Sequence, residues 1–167
     1  MRNAVVNDRP LPVEIGAPES AARVVRAVRP AGLEALLATL PAAQAAWLHD
    51  VGFSAKAQEL ALLPGEKGVA GAVLGLGTDT APHAFGGLAY ALPPDGLWRI
   101  DPADLSPEAA TLGFLLGAYA YDRLHQAPRA PARLAVPAPL EARMAGVLEE
   151  AAAVWMVRDL VNTPSNL

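Results

Sequence analysis

The C-terminal stretch constrains the fold most. Leu140, Met144, Val147, Leu148, Ala151 and Trp155 recur at helical spacing, which predicts an amphipathic helix from about Leu140 to Val161. At the rise of an α-helix, such a segment is about 33 Å long. A stripe of that length needs a partner surface, and it exceeds the span of a small sheet, so its far end should project toward something. Trp155 and Met156 near that end fit core packing and docking on a further domain equally, because interiors and domain interfaces draw on the same residue types.

Upstream, short apolar runs alternate with helix-periodic ones. Arg23–Val28 reads as a strand broken by Arg29-Pro30. Leu33, Leu36, Leu37 and Leu40 then repeat at helical spacing. Pro41 ends that helix and starts another, with Ala45, Leu48 and Val51 as its apolar side and Gly52 as its end. Glu59–Leu63 and Val69–Leu74, joined by Gly65-Glu66-Lys67-Gly68, read as a hairpin. A helix over Ala84–Ala91 and a strand over Leu97–Ile100 follow.

Ser106-Pro107-Glu108 opens the clearest helix: a serine N-cap, proline at the first helical position and a carboxylate near the positive end. Its apolar face is Leu112, Leu115, Leu116 and Tyr119, and Gly113 with Gly117 would allow close approach to the sheet. Arg133–Val136 is the last strand. Residues 1–20 read as irregular, with a short edge strand in Leu11–Ile15 disfavoured by Pro10 and Pro12. The alternation predicts an α/β domain with a mixed sheet, its antiparallel part supplied by the hairpin.

Composition limits function. At 167 residues and 53% hydrophobic content, the chain can bury the core of one ordinary domain. A net charge of −4 argues against a nucleic-acid partner. Absence of cysteine excludes disulfides and thiol chemistry and suits a reducing cytosol. No apolar run is long enough for a membrane span, and Met1–Pro10 lacks the apolar core of a signal peptide.

Candidate chemistry is sparse. Gly75-Leu76-Gly77-Thr78-Asp79-Thr80 after a strand resembles a phosphate-binding turn, but the third glycine is missing and the Asp79 carboxylate would repel an anion, so a plain turn is the preferred reading. His49, His83 and His125 show no metal-ligand spacing. Glu149-Glu150 and Asp101 with Asp104 read as solvated helix and loop ends. Arg123, Arg129 and Arg133 form a small basic patch around Pro128 and Pro131 that reads as a solvated linker. No catalytic, cofactor-binding or metal-binding residue is assigned within the chain.

Val157-Arg158-Asp159-Leu160-Val161-Asn162-Thr163-Pro164-Ser165-Asn166 resembles the segment that joins the N-terminal and catalytic domains of the leucyl aminopeptidase (cytosol aminopeptidase) family. Gly113–Arg123 is similar to that family's "G-Y-F-D-R/K" helix, and Val73–Gly77 to its early strand and glycine turn. The resemblance implies a macro-domain-like α/β domain over residues 21–138, a connecting helix over 139–161, and the start of a missing catalytic domain at 162–167. It also implies a parent enzyme, usually a cytoplasmic hexamer, that removes N-terminal residues from peptides with two divalent metals (zinc, manganese or magnesium).

In that family the metal ligands and catalytic groups lie around "K-G-x-x-F-D-T-G-G" and "N-T-D-A-E-G-R" stretches. Neither stretch occurs here, so no catalytic role is carried onto this chain. The implied function is non-catalytic support of assembly and active-site access, with the Trp155 region docking on the missing domain. The alternative is a stand-alone macro-like module that binds a nucleotide or ADP-ribose through the Gly75–Thr80 loop.

Overall fold

The computed structural model describes residues 5–6, 9–122 and 129–164. Its centre is a sheet of six strands: β3 (Val13–Ile15), β4 (Ala22–Val28), β5 (Leu60–Gly65), β6 (Gly68–Gly75), β7 (Leu97–Asp101) and β8 (Arg133–Val136). The spatial order is β3-β8-β7-β4-β6-β5, and all neighbours are parallel except the β5–β6 hairpin. The mixed α/β architecture matches the sequence expectation, including the antiparallel hairpin. A two-stranded ribbon, β1 (Val5–Val6) with β2 (Arg9–Pro10), precedes the sheet.

Alternation along the strands divides the core into two layers. On one face Val28, Ala61, Leu63 and Val73 meet helices α1 (Leu33–Thr39) and α2 (Ala42–Asp50). On the other Val25, Ala27, Ala72, Leu74 and Trp98 meet α3 (Leu88–Ala91), α4 (Pro107–Gly117) and α5 (Glu141–Asn162). Residues 71–76 are buried without interruption because β6 is covered on both faces.

Four local expectations are corrected. Leu11–Ile15 does hold an edge strand: Val13–Ile15 pairs in parallel with β8, and both prolines lie outside the paired residues. Val51 is 48% exposed and forms no part of the α2 face, because the helix ends at Asp50 and Gly52 turns the chain at φ +67°. The Ala84–Ala91 helix is instead two pieces, a 3₁₀ turn at Pro82–Phe85 and α3, separated by Gly86 and Gly87.

Gly113 and Gly117 of α4 approach that broken segment, not the sheet. A Cβ on Gly113 would lie 1.8 Å from the Pro82 carbonyl oxygen, and one on Gly117 1.8 Å from that of Gly86. Interruption of the 82–91 segment lets these carbonyls press against bare helix backbone.

The outer edge of β5 is covered by side chains of α2. Trp47 Nε1 donates to the Leu62 carbonyl at 3.0 Å, and Gln44 Nε2 donates to that of Pro64 at 3.0 Å.

Two glycines, one ending α4 and one inside α5, should therefore respond oppositely to alanine. Gly117→Ala forces backbone apart and is expected to cost about 3 kcal/mol or more, lowering Tm by roughly 6–12 °C. Gly146→Ala, with no atom within 4 Å of its Cβ, should gain about 0.5–1 kcal/mol. Thermal denaturation followed by circular dichroism measures both.

Candidate interdomain docking site

The site is built from the ends of α4 and α5. A helix leaves its last carbonyls without intrahelical partners. At the end of α4 these are taken by side chains from three other parts of the chain. Trp155 Nε1 donates to Leu115 O at 2.8 Å, Arg158 Nη1 to Leu116 O at 2.7 Å, and the Tyr90 hydroxyl to Ala118 O at 3.1 Å. Arg9 Nη1 donates to Ala120 O just beyond. Two of the four donors are guanidinium groups, which also suit the negative end of the helix dipole.

Asp159 sits at the middle of this junction, 1% exposed. Arg9 Nη2 donates to both of its carboxylate oxygens at 2.6 Å, and the Tyr119 hydroxyl donates to Oδ1 at 3.0 Å. The Arg9 guanidinium also lies 5.6 Å from the Tyr119 ring centroid and 5.5 Å from that of Trp155, and the two rings meet edge to face at 5.8 Å. Burial would lower the Arg9 pKa, but the hydrogen bonds and charge of Asp159 outweigh it and raise the value. Burial, with the adjacent Asp159 charge, raises the Tyr119 pKa, so its phenol stays a donor at neutral pH. Asn162 Nδ2 donates to the Tyr119 oxygen at 3.1 Å, and Thr163 Oγ1 closes α5 by donating to Asp159 O at 2.7 Å.

Trp155 therefore belongs to the domain's own core, 3% exposed, packed on α4. Of the two readings left open for Trp155, core packing is the one the structure gives, because its ring and its N–H are both used internally. The exposed apolar surface begins at the next residue: Met156 51%, Val157 54%, Leu160 70% and Val161 79% exposed. At about 100° per residue these side chains lie on the side of α5 opposite Met144, Ala151, Trp155 and Asp159. One or two turns earlier the same outer side carries Glu149 and Glu150, both exposed.

The chain also follows a known family. A family model for the M17 aminopeptidase N-terminal domain matches residues 24–137, more than half of the chain. The chain belongs to the M17 aminopeptidase N-terminal domain family.

Solved M17-type structures agree with the assignment. The crystal structure of cytosol aminopeptidase from Coxiella burnetii is similar over 92% of this chain, with 26% identity and a TM-score of 0.81. The bottromycin maturation enzyme BotP is similar over 87%, with 28% identity and a TM-score of 0.62. A tomato leucine aminopeptidase mutant shares the fold alone, with 16% identity and a TM-score of 0.67 over 99% of the chain. The chain spans 34% of the Coxiella structure, 34% of the BotP structure and 40% of the tomato structure. No curated protein matches the sequence.

In this M17 domain the Gly75–Thr80 loop is a brace. Four of its six amides are committed: Gly75 N donates to Glu59 O, Leu76 N to Val28 O, Gly77 N to Ala55 O and Asp79 N to Leu76 O. A Cβ on Gly75 would lie 2.2 Å from Lys56 O, and one on Gly77 2.7 Å from Ala57 N, so these glycines admit the 55–57 backbone rather than a phosphate. Arg29 fastens the loop from outside, donating to the Gly77 and Asp79 carbonyls at 3.1 and 2.9 Å while its Nε holds Asp104 at 2.9 Å. That hydrogen bond lowers the Asp104 pKa.

The remaining candidates are dispersed. His49 and His83 are exposed, and His125 lies outside the described residues. Among the described residues no three His, Cys, Asp or Glu side chains come together as a metal would require, so these residues do not fit the divalent metals that the resemblance implies. Asp101, Glu149 and Glu150 are exposed. Arg129 donates to Leu92 O at 2.6 Å and Arg133 pairs with Glu14 at 2.5 Å, so each is tied to its own neighbour; Arg123 lies outside the described residues.

Two stability measurements test this reading. Asp159→Ala leaves Arg9 with only the more exposed Asp122, 3.3 Å away, and should cost about 3 kcal/mol in urea unfolding, the low end for breaking a buried pair. For Glu59, burial favours the neutral acid, but hydrogen bonds from the Ser54 and Lys56 amides outweigh burial and lower its pKa below the usual 4.5. A folded-state pKa below the unfolded one stabilises above the unfolded value, and the contribution disappears as pH falls through the folded value. Glu59→Gln should therefore be less stable than wild type at neutral pH, by less than about 1 kcal/mol because the carboxylate is largely solvated, with the gap narrowing as the pH falls below the unfolded value.

Proposed function

We propose that this M17 domain is a non-catalytic companion, joined through α5 to a two-metal aminopeptidase domain, and that it supports assembly and access to the active site. On this reading residues 21–138 are the folded unit, 139–161 the connecting helix, and 162–167 the entry to the catalytic half. The full-length protein would be a cytoplasmic hexamer that removes N-terminal residues from peptides. Its zinc, manganese or magnesium ions would be held by residues outside this chain. Support comes from the family match, from the third of the Coxiella enzyme's length that the chain spans, and from the Mn complex known for BotP.

The observation that carries the reading is the change of character along one side of α5. Glu149 and Glu150 suit water, whereas Met156, Val157, Leu160 and Val161 on the following turns are apolar and half or more exposed. Contiguous exposed apolar surface at one place marks an interaction site. The four side chains sit next to Arg158 and Asp159, which fix the orientation of that part of the helix, so the patch is rigidly presented.

The purified chain is expected to give no turnover of a leucine chromogenic substrate with added Mn²⁺ or Zn²⁺; metal-dependent turnover would overturn the non-catalytic assignment. The chain should self-associate or bind an apolar dye through the α5 patch. Met156→Glu with Leu160→Glu should abolish this while changing stability by less than about 1 kcal/mol. A wild-type chain that is a clean monomer and binds no dye would count against docking.

A further inference from the structure

A cavity of about 300 Å³ opens at the carboxyl ends of β7 and β8, beside the first turn of α4. Open α/β sheets place ligands at this end of their strands. Its walls include Ile100, Leu134 and Leu140, and its charged groups are Arg99, Glu19 and Asp101. Arg99 Nε is out of solvent and has no hydrogen-bond partner. A buried donor on a cation without an acceptor is costly, which calls for an anionic oxygen that none of the described residues supplies. Neither Glu19 nor Asp101 lies within salt-bridge distance of Arg99, so two carboxylates stand around the same cavity with their acceptor capacity free.

We propose that this cavity binds a small zwitterion with an apolar side chain, a free aliphatic amino acid. Its carboxylate would meet Arg99, its ammonium group Glu19 and Asp101, and its side chain the wall of Ile100, Leu134 and Leu140. One cation and two anions around an apolar pocket match this ligand class better than a nucleotide. A diphosphate would face both carboxylates with only one guanidinium to offset them. The volume is at the lower end of small-molecule sites, enough for one amino acid. The cavity is remote in sequence from the Met156–Val161 patch, and the proposal does not depend on the peptidase reading.

Calorimetry on the 167-residue chain with leucine tests it, with N-acetyl-leucine, leucinamide and ADP-ribose as comparison ligands. Leucine should bind with a Kd on the order of 1 mM. Removing either charge, in N-acetyl-leucine or leucinamide, should weaken binding at least about tenfold. Arg99→Gln should weaken leucine and leave leucinamide unchanged, whereas Asp101→Asn, at an exposed position, should act on the ammonium side. Absence of leucine binding at 20-fold that concentration, equal binding of all three leucine compounds, or preferential binding of ADP-ribose would each overturn it. Because the ligand series is run on the wild-type chain, a variant that fails to fold does not decide the matter.

Discussion

The organisation of this domain depends on how the end of α4 is satisfied. Carbonyls at a helix terminus must find donors, and near this one the donors are Trp155, Arg158, Tyr90 and Arg9. Those residues belong to α5, α3 and the N-terminal ribbon, so one set of backbone groups draws three distant segments to a common point. The buried Asp159 completes the junction by neutralising Arg9. Replacing such a pair with apolar residues often costs nothing, but removing Asp159 alone leaves Arg9 to the more exposed Asp122, so the contact specifies geometry more than it adds stability.

Glycine performs the matching task elsewhere. Gly113 and Gly117 let α4 lie directly on the carbonyls of the 82–86 segment, and Gly75 and Gly77 let the end of β6 lie on residues 55–57. In both cases backbone meets backbone where any side chain would intrude. The spacing of Gly113 and Gly117 suggested a close approach, but a pair of glycines does not name its neighbour. The neighbour proved to be an interrupted helix whose break at Gly86-Gly87 is part of the same contact.

Most of the sheet and the longer helices were legible because their signals are local. Ser106-Pro107-Glu108 announces α4, and Ser106 Oγ indeed accepts from Ala109 N at 3.1 Å. The hairpin turn and the stripe from Met144 to Trp155 are equally readable. The edge strand at Val13–Ile15 was not, since its pairing with β8 joins residues over a hundred positions apart and prolines obscured it. At the candidate site, the resemblance drew attention to Arg158 and Asp159, and periodicity placed Trp155 on the apolar stripe without saying whether that end of the stripe meets the core or another surface. Its partners there are Leu115 O of α4 and the guanidinium of Arg9, at the other end of the chain, and no local pattern in the sequence links these groups to it.

The covered rim of β5 has a consequence for how this domain can join anything larger. With the Leu62 and Pro64 carbonyls already occupied by Trp47 and Gln44, that margin offers little template for another chain's strand. A partner meeting the domain at this margin would have to be recognised through side-chain shape instead of added backbone pairing. Recognition of that kind is selective and can be tuned one residue at a time, whereas strand addition would accept almost any extended peptide.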